Sequence, residues 1–143
     1  MPRTSEPQPM LLDTHIWIWF MLANAELAIS GRTAINRAAA SGQLRIAAIS
    51  VWEAALLASR GRITVGRPLA QWIGEATSAP GLSVEPLLPQ TAVEACSLPD
   101  AFHRDPVDRL IVATARVTNA TLMTRDRQIL DYAARGHLKA IAA

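Results

Sequence analysis

Residues Met10 to Leu22 read MLLDTHIWIWFML: a short apolar run, one aspartate at position 13, then a second apolar run. Three consecutive apolar residues followed at once by a carboxylate have the pattern of a buried strand delivering its chain end to an edge. The run from Thr14 to Leu22 then has the length of a helix. Between Met10 and Asn24, Asp13 is the only acidic residue and His15 the only other titratable group. A carboxylate among such neighbours is costly to desolvate unless something compensates it. A strand–helix unit of this kind needs further strands beside it, and the rest of the chain supplies them.

Downstream, Leu44–Ile49, Val84–Leu88, Thr121–Thr124 and Ala140–Ala142 read as short buried strands. Helices are expected over Ser30–Ser41 (with Gly42 as C-cap), Ser50–Ser59, Pro68–Ser78, Gln90–Ser97, Pro106–Thr118 and Arg127–Ala134. Pro106–Thr118 shows the clearest apolar face, through Val107, Leu110, Ile111, Thr114 and Val117. Alternating strands and helices predict an α/β fold, a three-layer α/β/α sandwich around a mainly parallel sheet of about five strands. Right-handed crossovers place every strand C-terminus on one edge, and ligands bind there where the strand order reverses.

The chain has 143 residues, enough for one domain with a real core. Residues 1–9, MPRTSEPQP, carry three prolines and no apolar face and read as a flexible tail, leaving residues 10–143 as a single domain. The tail lacks the apolar segment of a signal peptide, and Ile16–Ala23 is too short to span a bilayer, so no membrane partner is expected. Cys96 is the single cysteine and reads as a small buried hydrophobe in a reducing cytoplasm. Trp17, Trp19, Trp52 and Trp72 read as core or interface packing.

Acids stand at four places: Asp13 directly after the first expected strand, Glu53 four residues beyond the second, the pair Asp105 and Asp108 at the start of the Pro106–Thr118 helix, and Asp126 after the strand Thr121–Thr124. Each has a structural explanation. Ser50-x-x-Glu53 has the spacing of a capping box, Asp105-Pro106-Val107-Asp108 that of an N-cap with proline at the first helical position, and Asp13 and Asp126 can cap their own helices. Caps need not be acidic, however, and four carboxylates converging on one edge cannot all stay ionised without a cation. Oxygen donors without a Cys or His pair select a hard ion, Mg²⁺ or Mn²⁺. His15, His103 and His137 show no ligand spacing for zinc. Carboxylate-bound Mg²⁺ suits phosphoryl chemistry, with Thr124 or Ser50 orienting the ligands. There is no glycine-rich phosphate loop and no G-x-S-x-G elbow. With five acids in one pocket, the remaining seven face 14 basic residues, leaving the rest of the surface about +7 and suited to a polyanion.

LLDTHIWIW, ISVWEAALLASRGRI, HRDPVDRLIVATA and LMTRDRQIL occur in the order and spacing of the PIN-domain family. The chain resembles the VapC-type toxins of bacterial type II toxin–antitoxin systems from Met10 to its C-terminus. That resemblance implies an acidic pocket for Mg²⁺ or Mn²⁺ and endoribonuclease activity on structured RNA such as tRNA or rRNA. It also implies a homodimer and a small VapB-like antitoxin that covers the site. Matched by motif, Asp13, Glu53, Asp108 and Asp126 are the catalytic, metal-site acids, and Thr14, Ser50 and Thr124 the polar supports. Asp105 matches the additional acid of its block and ranks below the four, while Arg109 has a claim to a role near the site. Leu57 stands where the family often has lysine. In Thr124-Arg125-Asp126, Arg125 is an extra cation, either a surface charge or a phosphate contact. Receiver-type phosphoacceptors want adjacent acids after the first strand, and haloacid dehalogenase phosphatases want an aspartate where His15 stands. A PIN nuclease outside a toxin–antitoxin pair and a non-catalytic binding module of the same fold remain as rival readings.

Overall fold

The computed structural model describes residues 8–143. Of the tail expected over residues 1–9, only Gln8 and Pro9 fall within them, and the Pro9 carbonyl already accepts from the Thr121 N–H at 3.0 Å. Five parallel strands form one sheet in the order β3-β2-β1-β4-β5: β1 (Met10–Leu12), β2 (Leu44–Ala47), β3 (Leu82–Glu85), β4 (Thr121–Thr124) and β5 (Lys139–Ala142). Seven helices connect them: α1 (Thr14–Met21), α2 (Ile29–Ala40), α3 (Ala48–Ser59), α4 (Leu69–Thr77), α5 (Pro89–Cys96), α6 (Pro106–Thr118) and α7 (Arg127–Ala134).

Side-chain alternation along the strands divides the interior in two. Leu12 and Met123 join Leu44, Ile46, Trp17, Ile35 and Trp72 in a core under α1, α2 and α4. Their neighbours Leu11 and Leu122 join Ile111, Val112, Ala115, Ile129 and Tyr132 under α6 and α7. A central strand buried on both faces has to be apolar throughout, as β1 is. Trp17 is wholly buried, its ring centre 5.8 Å from that of Trp72, and its indole N–H donates to the Ala76 carbonyl at 3.3 Å.

The main differences from the sequence-based expectation each have a local cause. β2 ends at Ala47 and α3 starts at Ala48, so Ser50 is the third helical residue and no capping box forms. Its hydroxyl is buried and accepts from the Thr14 hydroxyl instead, at 2.9 Å. β3 ends at Glu85 because Pro86 has no N–H with which to continue the ladder, and it begins directly after Gly81. At Gly81 φ is +79°, and a Cβ there would lie 1.9 Å from the Ala39 carbonyl oxygen, so only glycine fits. α5 turns Thr91 and Ala95 inward, which leaves Cys96, one step further round, exposed rather than buried. α6 is buried through Ile111–Ala115 rather than along the expected stripe, because it is wedged between the sheet and its neighbouring helices. Trp52 is 55% exposed, so it is not a core residue. Among the described residues, no helix is long and apolar enough to cross a membrane.

Candidate metal centre

β1 and β4 lie side by side at the centre of the sheet, but one continues to β2 and the other to β5, which makes their C-terminal ends the point where strand order reverses. Asp13 leaves β1 there, and Thr124 and Asp126 leave β4. The Asp13 N–H donates to the Met123 carbonyl at 2.9 Å, fixing the backbone of the two strand ends against each other. A cleft of about 370 Å³ opens at this edge, lined by Asp13, Glu53, Asp105, Asp108 and Asp126 with His15, Ile16, Trp19 and Arg125. The structure thus brings Asp13, Glu53, Asp105, Asp108 and Asp126 to one cleft.

Capping and cleft-lining turn out to be compatible, because a carboxylate has two oxygens. Asp126 Oδ1 accepts from the N–H groups of Gln128 and Ile129 at 2.8 and 3.1 Å, and Oδ2 makes no hydrogen bond among the described residues. Asp105 Oδ1 caps α6 through Val107 and Asp108, at 2.9 and 3.2 Å. Asp13 Oδ1 accepts from the Thr14 N–H at 2.9 Å, while Oδ2 accepts from the Thr124 hydroxyl at 2.6 Å. That hydroxyl oxygen in turn accepts from the Asp126 N–H at 3.0 Å, so Thr124 holds the two acids in register. Thr14 ties α1 to α3 through Ser50, one turn before Glu53. The Glu53 side chain makes no hydrogen bond or ion pair among the described residues.

The electrostatics are those of crowded acids. Burial raises the pKa of Asp13 above its usual 3.8, opposed by the hydrogen bonds from Thr124 and Thr14. Asp108 is pushed up to about 7, first by burial and then by repulsion from Asp105, Asp13, Asp126 and Glu53. A cation in the cleft would reverse both effects.

Sequence reasoning missed His103, although it opens the HRDPVD block. Its Nε2 stands 3.2 Å from Asp108 Oδ2, and ligand atoms of His103, Asp108 and Asp126 lie within 4.8 Å of one another. That nitrogen is buried and off the line a hydrogen bond requires, so it has no hydrogen-bonded partner. The Asp105 N–H donates to His103 Nδ1 at 3.3 Å, which assigns the ring proton to Nε2. His103 Nε2 thus stands beside Asp108 without a hydrogen bond to it. The remaining donors are carboxylate oxygens, the set a hard divalent ion takes, and the charge they leave uncompensated fits such an ion. Arg109 does not line the cleft: its guanidinium donates to the carbonyls of Ala95, Phe102 and His103 at 2.9, 3.2 and 3.2 Å. It holds the segment that carries His103.

Residues 10–135 match the PIN domain family. The chain belongs to the PIN-domain family. This PIN domain is similar to Ribonuclease VapC22 of Mycobacterium tuberculosis, with 35% identity over 120 residues, covering 84% of this chain and 88% of the relative. Its fold is shared with VapBC2 from Rickettsia felis bound to a promoter DNA fragment (TM-score 0.68, 16% identity, 93% and 97% of the two chains). It is also shared with FitAcB from Neisseria gonorrhoeae (TM-score 0.63, 19% identity, 92% and 96%).

Proposed function

We propose that this PIN domain is a Mg²⁺- or Mn²⁺-dependent endoribonuclease, the toxin of a type II toxin–antitoxin pair. It cleaves tRNA or rRNA in the cytoplasm and arrests translation and growth unless its antitoxin is bound. The observation that carries the reading is the gathering of Asp13, Glu53, Asp108 and Asp126 in one cleft, with Asp108 raised to about 7. Similarity to a protein named as a ribonuclease supports RNA as the substrate, and a surface in excess of positive charge outside the cleft supports a polyanion.

In this reading Asp13, Glu53, Asp108 and Asp126 hold the ion, directly or through water. When bound, the ion supplies a nucleophilic water near neutral pH and neutralises charge on the phosphate. Thr124 fixes Asp13 and Asp126, Thr14 and Ser50 lock the helices that carry Asp13 and Glu53, and Asp105 fixes the start of α6 beneath Asp108. His103 Nε2 stands 3.2 Å from Asp108 Oδ2, against the carboxylate. A small VapB-like antitoxin and a second copy of the chain are the proposed partners. The test is RNA cleavage in Mg²⁺ by the wild type, Asp13→Ala and Asp108→Ala. Cleavage is expected from the wild type alone and is expected to stop in EDTA. Cleavage that survives EDTA or either substitution overturns the assignment.

A further inference from the structure

One wall of the cleft carries chemistry that ion binding does not use. His15 and Trp19, four residues apart on α1, both line it, their ring centres 6.1 Å apart in an edge arrangement. Two residues before Trp19, Trp17 is wholly buried; Trp19 packs partly on the same core and leaves the rest of its indole to the cleft. Arg125 lies over the Trp19 ring, its guanidinium carbon 5.2 Å from the ring centre. Nη1 is anchored to the Glu26 carbonyl at 3.0 Å and lies 3.5 Å from the Glu26 carboxylate. Nε and Nη2 make no hydrogen bond among the described residues.

Among the described residues, Arg125 is the only arginine or lysine lining the cleft, which holds five acids, yet it makes no ion pair with any of them. Glu26 and Trp19 hold it apart from the acids, with its free nitrogens available to an incoming anion. An aromatic ring beside an anchored guanidinium, at the edge of a phosphodiester site, matches a nucleotide: a flat base for the ring and a phosphate for the cation.

We propose that Trp19 and Arg125, with His15 at the rim, form a subsite for the nucleotide next to the scissile phosphate. The base stacks on the Trp19–Arg125 wall, and its phosphate accepts from Arg125 Nε and Nη2. A base within a duplex has both faces covered by its neighbours, so the subsite selects an unpaired ribonucleotide in a loop, bulge or single strand. The inference rests on the ribonuclease reading above.

The test begins with a randomised pool of short single-stranded oligoribonucleotides in Mg²⁺, followed by kcat and KM on the member cleaved fastest. The same oligonucleotide is then made with an abasic residue on either side of the cut, and as a full duplex. Trp19→Ala is expected to raise KM about tenfold, with a smaller change in kcat. The abasic substrate is expected to raise the wild-type KM by a similar factor and to add little to Trp19→Ala, since both changes remove the same contact. Arg125→Gln, at a half-exposed position, is expected to raise KM and flatten its salt dependence. Trp19→Phe keeps a ring and is expected to retain part of the affinity, which covers a failure of Trp19→Ala to fold. KM values within about twofold of the reference for Arg125→Gln and for the abasic substrate on the wild type, with duplex cleaved as well as single strand, overturn the subsite alone. A wild-type protein that cleaves no RNA overturns the ribonuclease reading and the subsite with it.

Discussion

Replacing Asp108 by asparagine should stabilise the metal-free protein above neutral pH, although it removes a side chain assigned to the site. In the folded chain the Asp108 carboxyl has a pKa of about 7, against 3.8 for an unperturbed aspartate. That gap corresponds to about 4 kcal/mol. Its side chain is 21% exposed, and the water that reaches it brings the expectation to about 2–4 kcal/mol. Below about pH 4 the carboxyl is protonated in both folded and unfolded chains, so it costs nothing. Between about pH 4 and 7 the unfolded chain releases the proton while the fold retains it, and stability falls as pH rises. Above about pH 7 the penalty is complete. Urea unfolding followed by tryptophan fluorescence in EDTA should therefore show Asp108→Asn more stable than wild type near pH 8 and equal to it near pH 4. With Mg²⁺ the order should reverse, because an ion bound by the fold stabilises only the chain that can hold it. Asparagine that destabilises near pH 8 in EDTA, or that shifts stability equally at both pH values, would refute the electrostatic account of the cleft.

Other residues give independent checks. Thr124→Val keeps the shape but removes the hydroxyl shared by Asp13 and Asp126, so RNA cleavage should fall by about 10–100-fold with the circular dichroism spectrum unchanged. Arg109→Ala leaves the carbonyls of Ala95, Phe102 and His103 without their donor. It should cost about 2 kcal/mol in urea unfolding, together with some activity through the displaced His103 segment. Gly81→Ala forces a Cβ against the Ala39 carbonyl at positive φ and should cost about 3 kcal/mol or more, measured as a lower Tm. Trp17→Ala empties the centre of one core and should cost about 3–5 kcal/mol by the same measurement.

Much of the fold is legible in the sequence because its strands are short, apolar and flanked by helix signals. β1, α1 and β4 fall within a residue of expectation, and Asp13 and Asp126 appear where such strands end. Junctions were harder to read. Ser50 and Glu53 have capping-box spacing, but whether a serine caps its own helix or meets Thr14 across 36 residues depends on where two helices cross. Cys96 lies beside an inward-facing alanine, and an eight-residue helix gives too little periodicity to say which of two adjacent residues faces in. Arg109 and His103 exchange the importance their positions suggest. The arginine next to Asp108 is spent on three carbonyls of the preceding segment, and the histidine of that segment reaches the acid. Trp17, Trp19, Trp52 and Trp72 look alike in sequence, yet only Trp19 lines the cleft.

Manganese binding to the RNA-free protein, read by electron paramagnetic resonance as loss of the free-ion signal, tests the central claim most directly. Wild type should bind Mn²⁺, with Mg²⁺ displacing it, and Asp13→Asn, Asp108→Asn and Asp126→Asn should each weaken binding by about tenfold or more while remaining folded. Binding unchanged by all three substitutions would contradict the claim that the sheet's carboxyl edge gathers these acids to hold a metal ion.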